Sequence, residues 1–237
     1  MTGEPDRDDF DPDALWRPPD TWTGDPLAPE PPPPLPEHLD YRDPKPPSDR
    51  RVVAFVTLPG LLTDEHDIFR TVLGHLPRLE PVNVGHAPGD VAGPGGARTV
   101  DAAFGEITDP DIVVVPGMLG SRAAARDPAL KSWLRAVAPQ CRWIAASSTG
   151  SVVLAAAGLL NGHPAATHWL AGELLAEYGS DPANERVHVD AERVITAAGS
   201  SSAFDAAYHV IERELGETEA MRVRQLVGSQ IEEAPAR

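Results

Sequence analysis

Three short runs of near-continuous apolar residues constrain this chain more than anything else in it. They are Arg51–Leu58 (RVVAFVTL), Asp111–Val115 (DIVVV) and Arg142–Ala146 (RWIAA). Each is the length of a strand, and none alternates with polar residues. A strand that is apolar on both faces is buried on both faces. Amphipathic segments lie between the runs. Glu65–Leu76 carries Ile68, Phe69, Val72 and Leu76 on one helical face. Asp127–Pro128 reads as an N-cap followed by proline at the first helical position, with Leu130, Trp133, Leu134 and Val137 as the buried stripe. Strands alternating with helices predict an α/β domain with a mostly parallel sheet covered on both sides.

The rest of the body is read the same way. Residues 80–85 predict a second short strand and 98–103 another, with GDVAGPGGAR between them as a loop. No GK[ST] follows that glycine run, so it is not read as a phosphate cradle. Helices are expected over 149–160, 168–178, 203–215 and 219–231, and RVHVDAERVITAAG reads as a strand pair.

Composition changes sharply near residue 50. Residues 1–50 hold 14 of the 26 prolines, and 13 acidic against 5 basic residues, which is half of the formal charge of −16. Such a segment cannot bury enough apolar surface to offset its chain entropy. It is read as an acidic, proline-rich arm without regular structure, with PPPPLP as polyproline II, ahead of a domain over 51–237. Phe10, Leu15, Trp16, Trp22 and Leu27 fit a plain linker poorly. They suggest that the arm docks on its own body or on a partner subunit.

The acidic charge opposes binding to nucleic acid or an anionic membrane. Cys141 is the only cysteine, which excludes an internal disulfide and a cysteine-built zinc site. It is read as a core residue at the far end of its strand. No metal or cofactor is expected. The N-terminus lacks the basic and apolar regions of a secretory signal, and no apolar run is long enough to span a bilayer, so the expected location is cytoplasmic.

In such sheets, sites lie beyond the carboxyl ends of the strands. After RWIAA comes Ala146-Ser147-Ser148-Thr149-Gly150, a small-x-Ser-x-Gly stretch like a nucleophile elbow. A sharp strand-to-helix turn would lift Ser148 above the sheet, and the helix start behind it would favour a developing anion. The alternative is that Ser147 or Ser148 only caps the helix.

DIVVVPGMLG, the stretch RWIAASSTGSVVLAAAGLLNGHPAATHW, and RVITAAGSSSAFDAAYHVIERELG together resemble the ThiJ/PfpI superfamily of class I glutamine amidotransferase-like proteins. The similar branch is the one with isocyanide hydratases and the sensor halves of AraC-type regulators. The resemblance covers about residues 51–216 and implies a flavodoxin-like three-layer sandwich, a small-molecule ligand or substrate, and a homodimer. The family's V-C-T-G elbow carries cysteine where this chain has Ser148. A hydroxyl needs a general base that a thiolate does not, so thiolate chemistry is not expected at this position.

The resemblance also implies an acid from the first βα loop beside the elbow. Glu65 falls at that position by counting from Pro59-Gly60, and Asp64 is one residue off. The same residues also fit a helix start, with Thr63 capping and Asp64 and Glu65 facing the helix dipole. His66 is the one evident base near this loop. Pro116-Gly117 matches a turn whose N–H groups, with those of Met118 and Thr149, would hold an anion; Met118 stands where the family often has glycine. Thr149-Gly150 completes the elbow. Ala165-Ala166-Thr167-His168-Trp169 resembles A-T-T-H-W, so His168 is either a partner for Ser148 or a structural histidine; His209, mid-helix, reads as structural. Gly199–Asp205 resembles the family loop G-x-S-A-G-x-D, in which Ser201 could meet ligand and Ser202 could cap the following helix.

Two functions follow. One is an enzyme acting on a small electrophilic molecule by hydration, hydrolysis or a lyase step, with Ser148 as nucleophile or anchor. The other is a non-catalytic ligand-binding or regulatory module without the family cysteine. No helix-turn-helix pattern follows Gly216 in this sequence, so a sensor would need a separate partner protein.

Overall fold

The structure, a computed structural model, describes residues 50–190 and 193–233. The N-terminal arm and its tryptophans lie outside them.

The chain runs β1 (Arg51–Val56), α1 (Thr63–Leu73), β2 (Leu79–Gly85), β3 (Gly89–Val91), β4 (Arg98–Val100), β5 (Ala102–Ala103), β6 (Ile112–Val115), α2 (Ser121–Ala124) and α3 (Pro128–Val137). It continues through β7 (Trp143–Ser147), α4 (Gly150–Ala156), α5 (Gly172–Glu177), β8 (Val187–Asp190), β9 (Val194–Ala197), α6 (Ser200–Leu215) and α7 (Glu217–Glu233). One sheet has the order β5-β2-β1-β6-β7-β9-β8, parallel except for the antiparallel β8–β9 pair. This is the three-layer, mostly parallel α/β architecture expected from the apolar strands.

Alternate strand residues enter two separate cores, which is why the strands read as continuous apolar runs. Ala54, Val56, Val113, Val115, Ile144 and Ala146 pack with Leu130, Leu134 and the α4 face. Val53, Phe55, Ile112, Val114, Trp143 and Ala145 pack with α1, α6 and α7 through Phe69, Val72, Ala207 and Val223. Asp127 caps α3 as expected, its Oδ1 accepting from Ala129 N at 3.0 Å and Leu130 N at 3.2 Å. Cys141 is fully buried.

Five local expectations change. The glycine-rich loop contains a strand: β3 pairs antiparallel with β4, and Thr99 Oγ1 donates to Asp90 Oδ1 at 2.6 Å. Its glycines serve close approach to the start of α1. A Cβ at Gly93 would stand 2.3 Å from Leu61 O, and one at Gly95 would stand 1.9 Å from Thr63 Oγ1. Residues 98–103 are two strands rather than one. They break at Asp101, whose N–H donates to Asn83 O and whose carboxylate accepts from Asn83 N, both at 2.8 Å.

Thr63 does not cap α1; Leu62 holds the cap position, without a side-chain bond. The helix after the elbow ends early, at Ala156, and Gly158 turns the chain away with φ 79°. Segment 168–178 is a 3-10 turn (Trp169–Ala171) leading into α5. Among the described residues no helix is long and apolar enough to cross a membrane.

Candidate functional site

The turn from β7 into α4 is the sharp one. Ser148 has φ 52°, a left-handed conformation that costs a non-glycine residue about 1–2 kcal/mol. Neighbouring contacts hold it there. Its N–H donates to Ala197 O at 2.8 Å, while Ser151 Oγ (2.9 Å) and Thr167 Oγ1 (3.0 Å) both donate to its carbonyl. Gly150 lets the turn press against the end of β6: a Cβ there would stand 2.0 Å from Val115 O. Neither Ser147 nor Ser148 caps α4. Thr149 takes the cap position and makes no side-chain cap bond.

The loops after β1 and β6 are stitched together in front of the elbow. Leu62 N donates to Gly117 O and Leu119 N to Gly60 O, each at 2.8 Å, with a bridge between Leu61 and Met118. Gly60 is needed in this seam because its φ is 81° and a Cβ would meet Leu119 O at 2.5 Å.

The seam carries Glu65 inward. The carboxyl is 1% exposed, and its Oε2 accepts from Ser147 Oγ at 2.5 Å and from Gly117 N at 2.9 Å. A Cβ on Gly117 would stand 2.7 Å from Ser148 Cβ and 2.8 Å from Glu65 Oε2, so glycine keeps the acid and the elbow side by side. Burial pushes the Glu65 pKa above the ordinary glutamate range, and Asp64 adds to the rise, while the bonds from Ser147, Gly117 and Ser200 oppose it. Asp64 faces solvent and accepts from Ser200 Oγ at 2.8 Å.

The other expected groups are distributed differently. Gly117 N is occupied by Glu65. Met118 N donates to Thr149 Oγ1 at 2.9 Å, and that hydroxyl donates back to Met118 O at 2.9 Å. The two turn amides are therefore engaged within the protein. Thr149 N–H, beside Ser148, makes no hydrogen bond to a described residue.

His168 lines the same cavity as Ser148, but its Nδ1 accepts from Leu170 N at 3.3 Å, closing the 3-10 turn. No hydrogen bond joins it to Ser148 among the described residues. His66 is fully buried and turned away from the elbow, with Nε2 on Asn83 Oδ1 at 2.9 Å and Nδ1 on Asp67 Oδ1 at 3.0 Å. It is a packing residue, set edge-on to Phe55. His209 packs edge-on against Trp143.

Ser201 is exposed, 3.5 Å from Arg186 Nη2, and is not among the residues lining the elbow cavity. Ser202 sits inside the first turn of α6, accepting from Gly199 N at 2.9 Å. Ser200, beside Ser201, is the hydroxyl that reaches the acids. Ser147 and Ser200 were not singled out in the sequence for the acid. Their one sequence signal was a position next to a motif serine.

The cavity in front of Ser148 measures about 510 Å³. Leu62, Met118, Leu119, Leu170 and Leu174 give it an apolar side, Ser148, Thr149 and His168 polar groups, and Arg122, Glu173 and Glu177 charged ones; Glu65 lies behind this lining, next to Gly117. Among the described residues no group of three or more His, Cys, Asp or Glu is placed to hold a metal ion.

The model of the DJ-1/PfpI family matches residues 78–213. An isonitrile hydratase from Pseudomonas putida is 36% identical over 126 residues, 53% of each chain. The HTH-type transcriptional regulator CdhR from Pseudomonas aeruginosa is 31% identical over 189 residues, 71% of this chain and 52% of the relative. The chain thus spans about half the length of the curated relatives it matches. A ThiJ/PfpI family protein from Pseudomonas syringae superposes with a TM-score of 0.71 at 26% identity, covering 80% of this chain and 77% of the other. An AraC family transcriptional regulator from Pseudomonas putida shares the fold at 17% identity, with a TM-score of 0.64 over 75% of this chain and 99% of the other. The agreement of sequence, sheet order and elbow geometry leads to one assignment: this chain belongs to the DJ-1/PfpI family.

Proposed function

We propose that the chain is an enzyme of hydratase type that adds water to a small electrophilic molecule in the cavity before Ser148. The observation that carries this reading is Glu65, a carboxyl 1% exposed, biased toward its protonated form and set against the elbow. Such an acid can give a proton to the substrate and recover one from the attacking water. For an isonitrile, the terminal carbon takes the Glu65 proton, the water oxygen bonds to that same carbon while Glu65 takes a proton from the water, and the resulting R–N=CH–OH tautomerises to the formamide. Ser148 Oγ and Thr149 N–H anchor the substrate. Ser148 acts as anchor rather than nucleophile, because no described side chain is hydrogen-bonded to it as a general base. The leucines of the lining offer contact to a hydrocarbon body, and the similarity to an isonitrile hydratase makes isonitriles the first class to try.

One observation favours the second reading, a ligand-binding regulatory module: the amides of Gly117 and Met118 are already occupied. The similarity to CdhR points the same way. A homodimer and a cytoplasmic location belong to both readings, and the net charge of −16 opposes direct contact with nucleic acid.

The test is turnover of alkyl isonitriles, followed by NMR of the formamide product. Glu65→Gln is expected to lower kcat about 10²–10⁴-fold. A fluorophosphonate is expected to leave the intact mass unchanged. A single adduct lost in Ser148→Ala would replace this mechanism with covalent serine catalysis. Ligand-induced thermal shifts without turnover of any electrophile would establish the binding module instead.

A further inference from the structure

Ser200 touches both members of the acid pair. Its Oγ lies 2.8 Å from Asp64 Oδ2 and 3.4 Å from Glu65 Oε1. The three groups differ in exposure in the order a conduit requires: Glu65 is buried, Ser200 half-buried and Asp64 exposed. The other Glu65 oxygen, Oε2, already accepts two bonds, from Ser147 and Gly117. A proton on Glu65 therefore sits on Oε1, facing Ser200. Ser200 can donate its one hydroxyl proton to either acid; while it donates to Asp64, the shorter contact, its lone pairs can take a proton from Glu65.

We propose that Ser200 relays protons between Glu65 and solvent through Asp64. Outward, Glu65 Oε1 gives its proton to Ser200 Oγ while the Ser200 hydroxyl proton passes to Asp64 Oδ2. The serine ends neutral, Glu65 ends as carboxylate and Asp64 as acid, which then exchanges with water. Inward, the same steps run in reverse. The longer contact, 3.4 Å, must shorten at transfer. Ser200 is a positioning residue, not one that meets substrate. Its replacement leaves the helix start intact, because Ser202 makes the bond to Gly199 N. The proposal rests on Glu65 being the proton carrier of the site.

The relay is read without any substrate. In the full-length protein, the C=O stretch of protonated Glu65 is identified by infrared difference against Glu65→Gln, and its shift on transfer to D₂O is timed. Ser200→Ala is expected to slow that exchange at least about tenfold, the factor matching ~1.4 kcal/mol of local opening needed once the conduit is cut. Ser200→Thr, which restores the hydroxyl, is expected to return it to within about threefold of wild type, well inside that tenfold margin. Equal rates in wild type and Ser200→Ala would overturn the relay and leave Glu65 as carrier. Slow exchange in both Ser200→Ala and Ser200→Thr would also overturn it. Absence of any Glu65-dependent band at every pH where the protein is folded would remove the carrier, and the proposed hydration chemistry with it.

Discussion

Replacing Gly117 by alanine isolates the contact that holds the acid against the elbow. The new Cβ would stand 2.7 Å from Ser148 Cβ, 2.8 Å from Glu65 Oε2 and 2.9 Å from Leu62 Cδ1, where carbon neighbours settle at about 3.5–4.0 Å. Gly117 does not have a left-handed φ, so the backbone accepts alanine and the penalty is steric. Two of the three neighbours resist. Ser148 is fixed by three hydrogen bonds to its own peptide groups, and Glu65 Oε2 by Ser147 and Gly117. Only the Leu62 methyl can rotate away.

Overpacking of this kind costs about 1–3 kcal/mol, and a displaced Glu65 forfeits a further ~1 kcal/mol of hydrogen bonding. Restricting the unfolded chain returns about 0.4–1 kcal/mol. The net expectation is a loss of about 1–3 kcal/mol, or roughly 2–12 °C in Tm at this size. Urea denaturation of Gly117→Ala beside Gly105→Ala reads it directly, since nothing lies within 4 Å of a Cβ at Gly105. If the two variants are equally stable, the close packing of Gly117, Ser148 and Glu65 is not real.

Ser148→Val should destabilise by more than about 1 kcal/mol, because a β-branched side chain fits a left-handed residue poorly, while Ser148→Gly should be neutral or stabilising; chemical denaturation measures both. Glu65 takes up its proton more readily folded than unfolded. Below the ordinary glutamate range both states carry it; as pH rises from there toward the raised folded value, the folded state holds more protons and stability falls. Tm against pH should therefore drop for wild type relative to Glu65→Gln across that window, and a constant difference would contradict the shift. Asp127→Ala should cost about 1–2 kcal/mol by leaving two α3 amides uncapped, and Asp127→Asn clearly less, by the same denaturation assay.

The sheet was legible because burial on both faces leaves its mark in every strand: the apolar runs at 51–58, 111–115 and 142–146 became β1, β6 and β7. The β3–β4 hairpin was not, because Gly89 and Asp90 are exposed and its glycines answer to Leu61 and Thr63, a contact made across the fold. At the site, position along the chain was a partial guide. Consecutive helical residues point about 100° apart, so one of Asp64, Glu65 and His66 can face the elbow. Glu65 does, Asp64 meets solvent, and His66 turns to Asn83 on β2. The bonds of Ser147 and Ser200 to Glu65 are not legible in the sequence, because the partners stand 82 and 135 residues apart.

Serine at position 148 alters the electrostatics of Glu65 as well as the available nucleophile. A thiolate there would place a negative charge beside Gly117, in contact with the space that Glu65 Oε2 also borders. Two anions so close in a buried pocket would force a proton onto one of them. A neutral hydroxyl imposes no such demand. Burial raises the Glu65 pKa, with help from the charge of Asp64, and the bonds from Ser147, Gly117 and Ser200 oppose the rise. On the proposed hydration chemistry, that balance suits an acid that must give up and recover its proton in each cycle. A carboxyl locked in its neutral form by an adjacent anion could donate a hydrogen bond but would release its proton reluctantly. The V-C-T-G pattern has valine where Ser147 stands, so the loosening bond from Ser147 accompanies the elbow change in this chain. The two serines together fit the proposed role of the carboxyl as the working group.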